Sequence, residues 1–132
     1  MATLFKDLDK SVKFRSGHAL CPGCPGGTLW QQTIKILGPN IIVSAGATCA
    51  LLPAANYPPS LYFPTIYIAM APTAAGLSGI SAALKVLRRK GKLKENNGKI
   101  SVLALLGDGS TADIGFASLS GAAERNDDGI YI

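Results

Sequence analysis

The sequence is poor in charge and in aromatic rings: Asp, Glu, Lys and Arg make up 16% of the 132 residues, and Phe, Trp and Tyr 7%. With 48% hydrophobic residues, such a chain is a well-buried globular domain and not a disordered tail. Cysteine is scarce, three in all, and an odd number argues against a fully paired disulfide framework. The opening "MATLFKDLDKSVKFRSG" lacks the apolar stretch of a secretory signal, so reduced thiols and a cytoplasmic setting are expected. There is no internal repeat, and the glycines and prolines fall at element ends, where turns need them.

No charged side chain occurs between Ile36 and Leu84. Pro39, Pro53, Pro58, Pro59, Pro64 and Pro72 interrupt that run, whereas a membrane span needs roughly 20 unbroken apolar residues. A core covered on two sides is expected, and no membrane. The net charge of +5 is local as well: seven of the thirteen basic residues lie between Lys85 and Lys99, in "KVLRRKGKLKENNGK". That is the pattern of a solvated helix end and turn, not of a nucleic-acid-binding stripe.

What the chain does contain is alternating strand and helix patterns. "GGTLWQQTIKILG" places Leu29, Trp30, Ile34 and Leu37 at helical spacing, which predicts a helix from about Gly27 to Leu37, with Trp30 in the core. "NIIVSAGATCA" reads as a strand opening into a glycine loop that carries Cys49. "TIYIAMA", residues 65 to 71, is a second apolar run, and "TAAGLSGISAALKVLRRKGK" is a helix that Gly91 ends. Ile100 to Leu106 is continuously apolar, as in a parallel strand buried on both faces. A further helix is predicted from near Thr111, with Ile114, Leu119 and Ala122 inward, Asp113 in its first turn and Glu124 and Arg125 at its solvated end. "GIYI" starts another strand. This is the order of a doubly wound α/β parallel sheet. Residues 1–16 are read as an N-terminal extension and 17–132 as one domain that continues past Ile132.

Two constellations carry chemistry. In "LLGDGST" a glycine loop at the end of a parallel strand runs into a helix, presenting backbone N–H groups to an anion, and Asp108 adds an oxygen ligand suited to Mg²⁺. In "GHALCPGCPGG" Cys21 and Cys24 have C-x-x-C spacing, and Cys49 follows in the next glycine loop. Spacing leaves three readings open. One is a [4Fe–4S] cluster whose fourth ligand lies outside the chain. Another is a zinc-stabilised binding module using His18, Cys21, Cys24 and Cys49. The third is a redox pair, though no clear strand precedes Cys21.

Taken together, "GHALCPGC", the Cys49 loop, "GISAALK" and "GDGSTADIGFASLSGAAERNDDGIYI" resemble the thiamine-diphosphate-binding β subunit of the pyruvate:ferredoxin oxidoreductase family of 2-oxoacid:acceptor oxidoreductases, from about residue 16 to 132. The resemblance implies the N-terminal part of such a subunit, an enzyme component that oxidatively decarboxylates a 2-oxoacid, usually to an acyl-coenzyme A, and passes electrons through a [4Fe–4S] cluster to ferredoxin. It implies Cys21, Cys24 and Cys49 as cluster ligands, with His18 a loop residue beside them, and Asp108 as a Mg²⁺ ligand. Ala47, Thr48, Cys49, Ala50, Met70, Gly107, Asp108, Gly109 and Ser110 are then the cofactor-binding residues. Partner subunits of α, γ and ferredoxin-like δ type are implied as well, one of them supplying the carboxylate that activates the cofactor. Pro25 and Gly26 stand where many relatives have glycine and an acid. Met70, Ala71 and Pro72 replace an aromatic residue followed by Glu-Asn. The substrate therefore stays open among pyruvate, oxalate, an aromatic glyoxylate and other 2-oxoacids.

Overall fold

The computed structural model describes residues 8, 10, 11, 13–55, 57–93 and 98–132. Most of the expected N-terminal extension, and Lys94 of the basic run, lie outside them. In chain order the elements are α1 (Pro25–Leu37), β1 (Ile41–Gly46), a 3₁₀ turn (Cys49–Leu51), α2 (Leu52–Ala55), β2 (Thr65–Ile68), α3 (Thr73–Arg89), β3 (Ser101–Leu105), α4 (Asp108–Ala112), α5 (Phe116–Glu124) and β4 (Ile130–Tyr131).

The strands form one sheet in the order β2-β1-β3-β4, and every pairing is parallel. Side chains of a strand alternate between faces, so a sheet without polar alternation must be covered twice. Two cores do this. On one face Ile41, Val43, Ala45, Leu103 and Leu105 pack with Trp30 and Ile34 of α1 and with Phe14, Leu61 and Phe63. On the other, Val102, Ala104 and Leu106 pack with Leu77 and Leu84 of α3, joined by Leu119 and Tyr131. This is the doubly wound arrangement, and Trp30, 5% exposed, is a core residue as expected. The backbone around Phe14 is tied to the loop before β2, with Arg15 N–H donating to Ser60 O at 2.8 Å and Tyr62 N–H to Lys13 O at 3.1 Å.

The helix ends have identifiable causes. α3 stops at a Schellman motif: Gly91 has φ +62°, its N–H donates to Arg88 O, and Lys92 N–H donates to Leu87 O, both at 3.0 Å. α5 ends the same way with Asn126 (φ 52°) in the left-handed position, Asn126 N–H bonding Ala123 O and Asp127 N–H bonding Ala122 O at 3.0 Å. Lys85, Arg89, Lys90, Lys92 and Lys99 are exposed, in keeping with a solvated helix end, and Lys99 pairs with Asp128 at 3.2 Å.

Two sequence-based boundaries need correction, and the second apolar run resolves into a strand and a turn. α1 starts at Pro25 rather than Gly27, because proline suits the first helical turn, where its missing N–H has no partner to lose. β2 ends at Ile68, and 69–72 turn into α3. The helix expected from Thr111 begins at Asp108 and breaks at 113–115, since Gly115 folds tightly onto the Ser110 carbonyl. The break turns Ile114 outward, 62% exposed, so it is no core residue, and leaves Asp113 at the end of α4 instead of in a first turn. Leu119 and Ala122 do face inward.

Candidate cofactor site and cysteine turn

Because β1, β2 and β3 are adjacent and parallel, their carboxyl ends share one edge of the sheet. The chain leaves β1 for β2 on one side and returns to β3 on the other, so this edge contains a topological switch point. The loops that follow the three strands hold every residue expected to bind the cofactor.

The loops meet closely. A methyl group built at Gly107 would lie 2.7 Å from Thr48 Cβ, and one at Gly109 would lie 2.5 Å from Met70 Sδ. The loop after β3 therefore touches the loop after β1 through one glycine and the loop after β2 through the other. At Gly46 an added methyl would collide with Thr73 Oγ1 and stand 3.0 Å from Ser110 Oγ. Small residues here let three backbones converge.

Hydrogen bonds hold this arrangement. Buried Ser44 donates through Oγ to Thr73 O at 3.0 Å, and Thr73 Oγ1 lies 2.9 Å from Met70 O and 3.1 Å from Ala69 O, which pins the start of α3 beneath the β2 loop. Ala47 N–H donates to Ile68 O at 3.0 Å. Thr48 Oγ1 accepts from Ala50 N–H at 3.2 Å and so caps the 3₁₀ turn that begins at Cys49. Thr111 Oγ1 bonds Gly107 O at 2.9 Å, and Ser118 Oγ bonds Ala71 O at 2.6 Å.

Among the predicted residues, Ala47, Cys49 and Asp108 are exposed, Thr48, Met70, Gly107 and Gly109 are half-buried, and Ala50 and Ser110 are buried. The Ser110 hydroxyl is buried without a hydrogen-bond partner among the described residues. An exposed carboxylate, a Gly107 with no room for a Cβ beside Thr48, a Gly109 packed against Met70 and an unsatisfied hydroxyl suit a diphosphate held through Mg²⁺. Ser44, Gly46, Thr73 and Gly115 are supporting residues that the sequence reading did not single out. The small residues at the start of α3 were the available signal for Thr73.

The cysteines are arranged differently. Cys21-Pro22-Gly23-Cys24 is a β-turn closed by Cys24 N–H donating to Cys21 O at 3.0 Å, with Gly23 at φ +74°. Proline second and a positive-φ glycine third are the residues of a type II turn. Cys24 stands at the N-cap position of α1, with no capping hydrogen bond from its side chain. His18 adjoins the turn, its ring tilted against Phe14 at a centroid distance of 5.1 Å and its Nδ1 buried without a partner among the described residues. Arg15, His18, Cys21, Cys24, Thr28 and Gln31 line a concavity of about 350 Å³. Among the described residues no three His, Cys, Asp or Glu side chains come close enough to hold a metal ion. Cys21, Cys24 and Cys49 therefore do not form a single group in this structure, with or without His18.

No protein-family model matches the chain. It is 41% identical over 121 residues to pyruvate synthase subunit PorB of Methanocaldococcus jannaschii, covering 90% of this chain and 40% of that protein. To ketoisovalerate oxidoreductase subunit VorB of Pyrococcus horikoshii it is 38% identical over 120 residues, covering 90% and 38%. This chain is a homologue of 2-oxoacid oxidoreductase β subunits. The homologue matches the PorB subunit of Thermotoga maritima too, at 35% over 134 aligned positions, 98% of this chain and 41% of the relative. It spans about two fifths of the length of the curated relatives it matches. No described helix of the homologue is long and apolar enough to cross a membrane.

Proposed function

We propose that this chain is the thiamine-diphosphate-binding portion of a β subunit in a 2-oxoacid:ferredoxin oxidoreductase, a cytoplasmic enzyme that works with α, γ and δ-type partner subunits. The observation that carries the reading is the convergence of Thr48, Met70, Gly107 and Gly109 at the carboxyl edge of the sheet. When bound, thiamine diphosphate supplies the carbanion chemistry that decarboxylates a 2-oxoacid.

The chain's own residues position and shield. Asp108 offers its exposed carboxylate to Mg²⁺, and the backbone at Gly107, Gly109 and Ser110 approaches the diphosphate, the Ser110 hydroxyl gaining the partner it lacks. Thr48 and Met70 would wall the cofactor on the β1 and β2 sides, Met70 presenting an apolar thioether, and Ala50 would support the Thr48 loop from the core. Cys21, Cys24 and Cys49 are the ligands proposed for a [4Fe–4S] cluster. That assignment requires the three thiols to gather when iron is loaded, with the fourth ligand outside this chain. Ferredoxin as acceptor, coenzyme A as acyl acceptor and the choice among pyruvate, ketoisovalerate, oxalate or an aromatic glyoxylate belong to the same proposal.

The test uses the complete subunit within its complex. Asp108→Ala should weaken Mg²⁺-dependent thiamine diphosphate binding by at least about tenfold, as expected for loss of a metal ligand, and leave iron content unchanged. Undiminished cofactor affinity would reduce the glycine loop to an ordinary turn.

A further inference from the structure

We infer that Cys21 and Cys24 form a reversible dithiol–disulfide couple that operates without Cys49 whenever the turn carries no iron. Two features of the turn carry this. Its closing hydrogen bond, Cys24 N–H to Cys21 O at 3.0 Å, is the mark of a β-turn. A β-turn holds its first and fourth Cα within about 7 Å, and disulfides span about 4.4–6.8 Å between Cα atoms. The Gly23 φ of +74° behind Pro22 fixes the turn before any bond forms, so closure gives up little chain freedom.

The two thiols also differ in access. Cys21 is exposed, whereas Cys24 is half-buried, stands at the N-cap position of α1 and has its Sγ 3.5 Å from where a Gly26 Cβ would stand. That asymmetry assigns the order of events with a low-molecular-weight disulfide such as glutathione disulfide. The Cys21 thiolate attacks one sulfur of the oxidant, a Cys21–glutathione bond forms, the oxidant's S–S bond breaks and one glutathione thiolate leaves. The Cys24 thiolate then attacks Cys21 Sγ, the Cys21–Cys24 bond forms and the second glutathione leaves. The pair loses two electrons, the oxidant gains them, and the two cysteine protons end on the released thiols. Among the described residues Cys49 does not form one group with both thiols of the pair, so it stops at the mixed disulfide.

The couple goes beyond the cofactor reading and does not depend on it. Reduced, the turn offers two thiolates to a soft metal; oxidised, it is closed to metal and protected from overoxidation.

Full-length protein, stripped of iron with a chelator and treated with glutathione disulfide, should show by peptide mass mapping an internal Cys21–Cys24 link and a glutathione adduct on Cys49. In Cys24→Ser the adduct on Cys21 should outlast that of the parent protein by about tenfold or more, since a thiol in the same turn acts at an effective concentration in at least the mM range. Glutathione adducts on both Cys21 and Cys24 of the parent, or a link from Cys49 to either, would overturn the inference. Failure of the re-reduced protein to take up iron, where the same protein does form the Cys21–Cys24 link on oxidation, would count against the cluster assignment alone.

Discussion

Thr48 and Gly107 touch so closely that Gly107 has no room for a side chain: a methyl group there would stand 2.7 Å from Thr48 Cβ and 2.9 Å from its Cγ2. Thr48 cannot yield by a rotamer change, because the nearest atom is its own Cβ. Gly107→Ala is therefore expected to push apart the loops after β1 and β3. It should cost about 1–3 kcal/mol, the usual range for overpacking, and Thr48→Gly in the same chain should restore much of it. Thermal unfolding of the single and double variants measures this, and full stability of Gly107→Ala would show that the loops do not meet.

Asp127 accepts from Ser78 Oγ at 2.6 Å and from Arg125 Nη2 at 2.8 Å. The Ser78 hydrogen bond, and after it the Arg125 guanidinium, hold its carboxyl below the usual carboxylate range. A depressed folded-state value means stability that is present above the unfolded value of about 3.9 and lost as pH falls through the lower folded value. Asp127→Asn should then be less stable than the parent at neutral pH, and the gap should narrow as pH drops from about 5 towards 2. A gap independent of pH would show that the carboxylate charge contributes nothing.

Asn126, at φ 52°, closes the Schellman motif of α5. Left-handed geometry costs a β-branched residue about 1–2 kcal/mol, whereas glycine adopts it freely. Asn126→Val should lower stability by about that amount, and Asn126→Gly should keep or slightly raise it. Denaturant midpoints decide the matter, and equal values for both variants would contradict the geometry.

Much of the fold was legible because its signals are local. Ile100 to Leu106 reads as a doubly covered strand since side chains on both faces meet apolar cores, and Leu103 and Leu105 face one core while Val102 and Ala104 face the other. Gly91 was legible as a helix stop because the left-handed requirement sits on one residue. The break between α4 and α5 was not, for it depends on Gly115 meeting a carbonyl five residues back, and apolar periodicity runs through it unchanged. At the candidate site the glycine loop and the cysteine turn were visible as motifs. That Met70 would abut Gly109, and that Cys21, Cys24 and Cys49 would not gather into one group among the described residues, are matters of long-range packing that no spacing rule encodes.

The strand order sets a timetable for synthesis. β1 pairs with β3, Ile41 opposite Ser101, across an interval in which β2 and the whole of α3 are made. Contacts so distant along the chain form late, and until they form, the apolar faces of β1 have cover on one flank only. On the ribosome, then, Thr48 and Met70 emerge long before Gly107 and Gly109, and a nascent chain exposes a half-built cofactor edge until β3 docks. On the proposed function, newly made protein has no complete diphosphate cradle before that moment, and cofactor capture follows closure of the sheet.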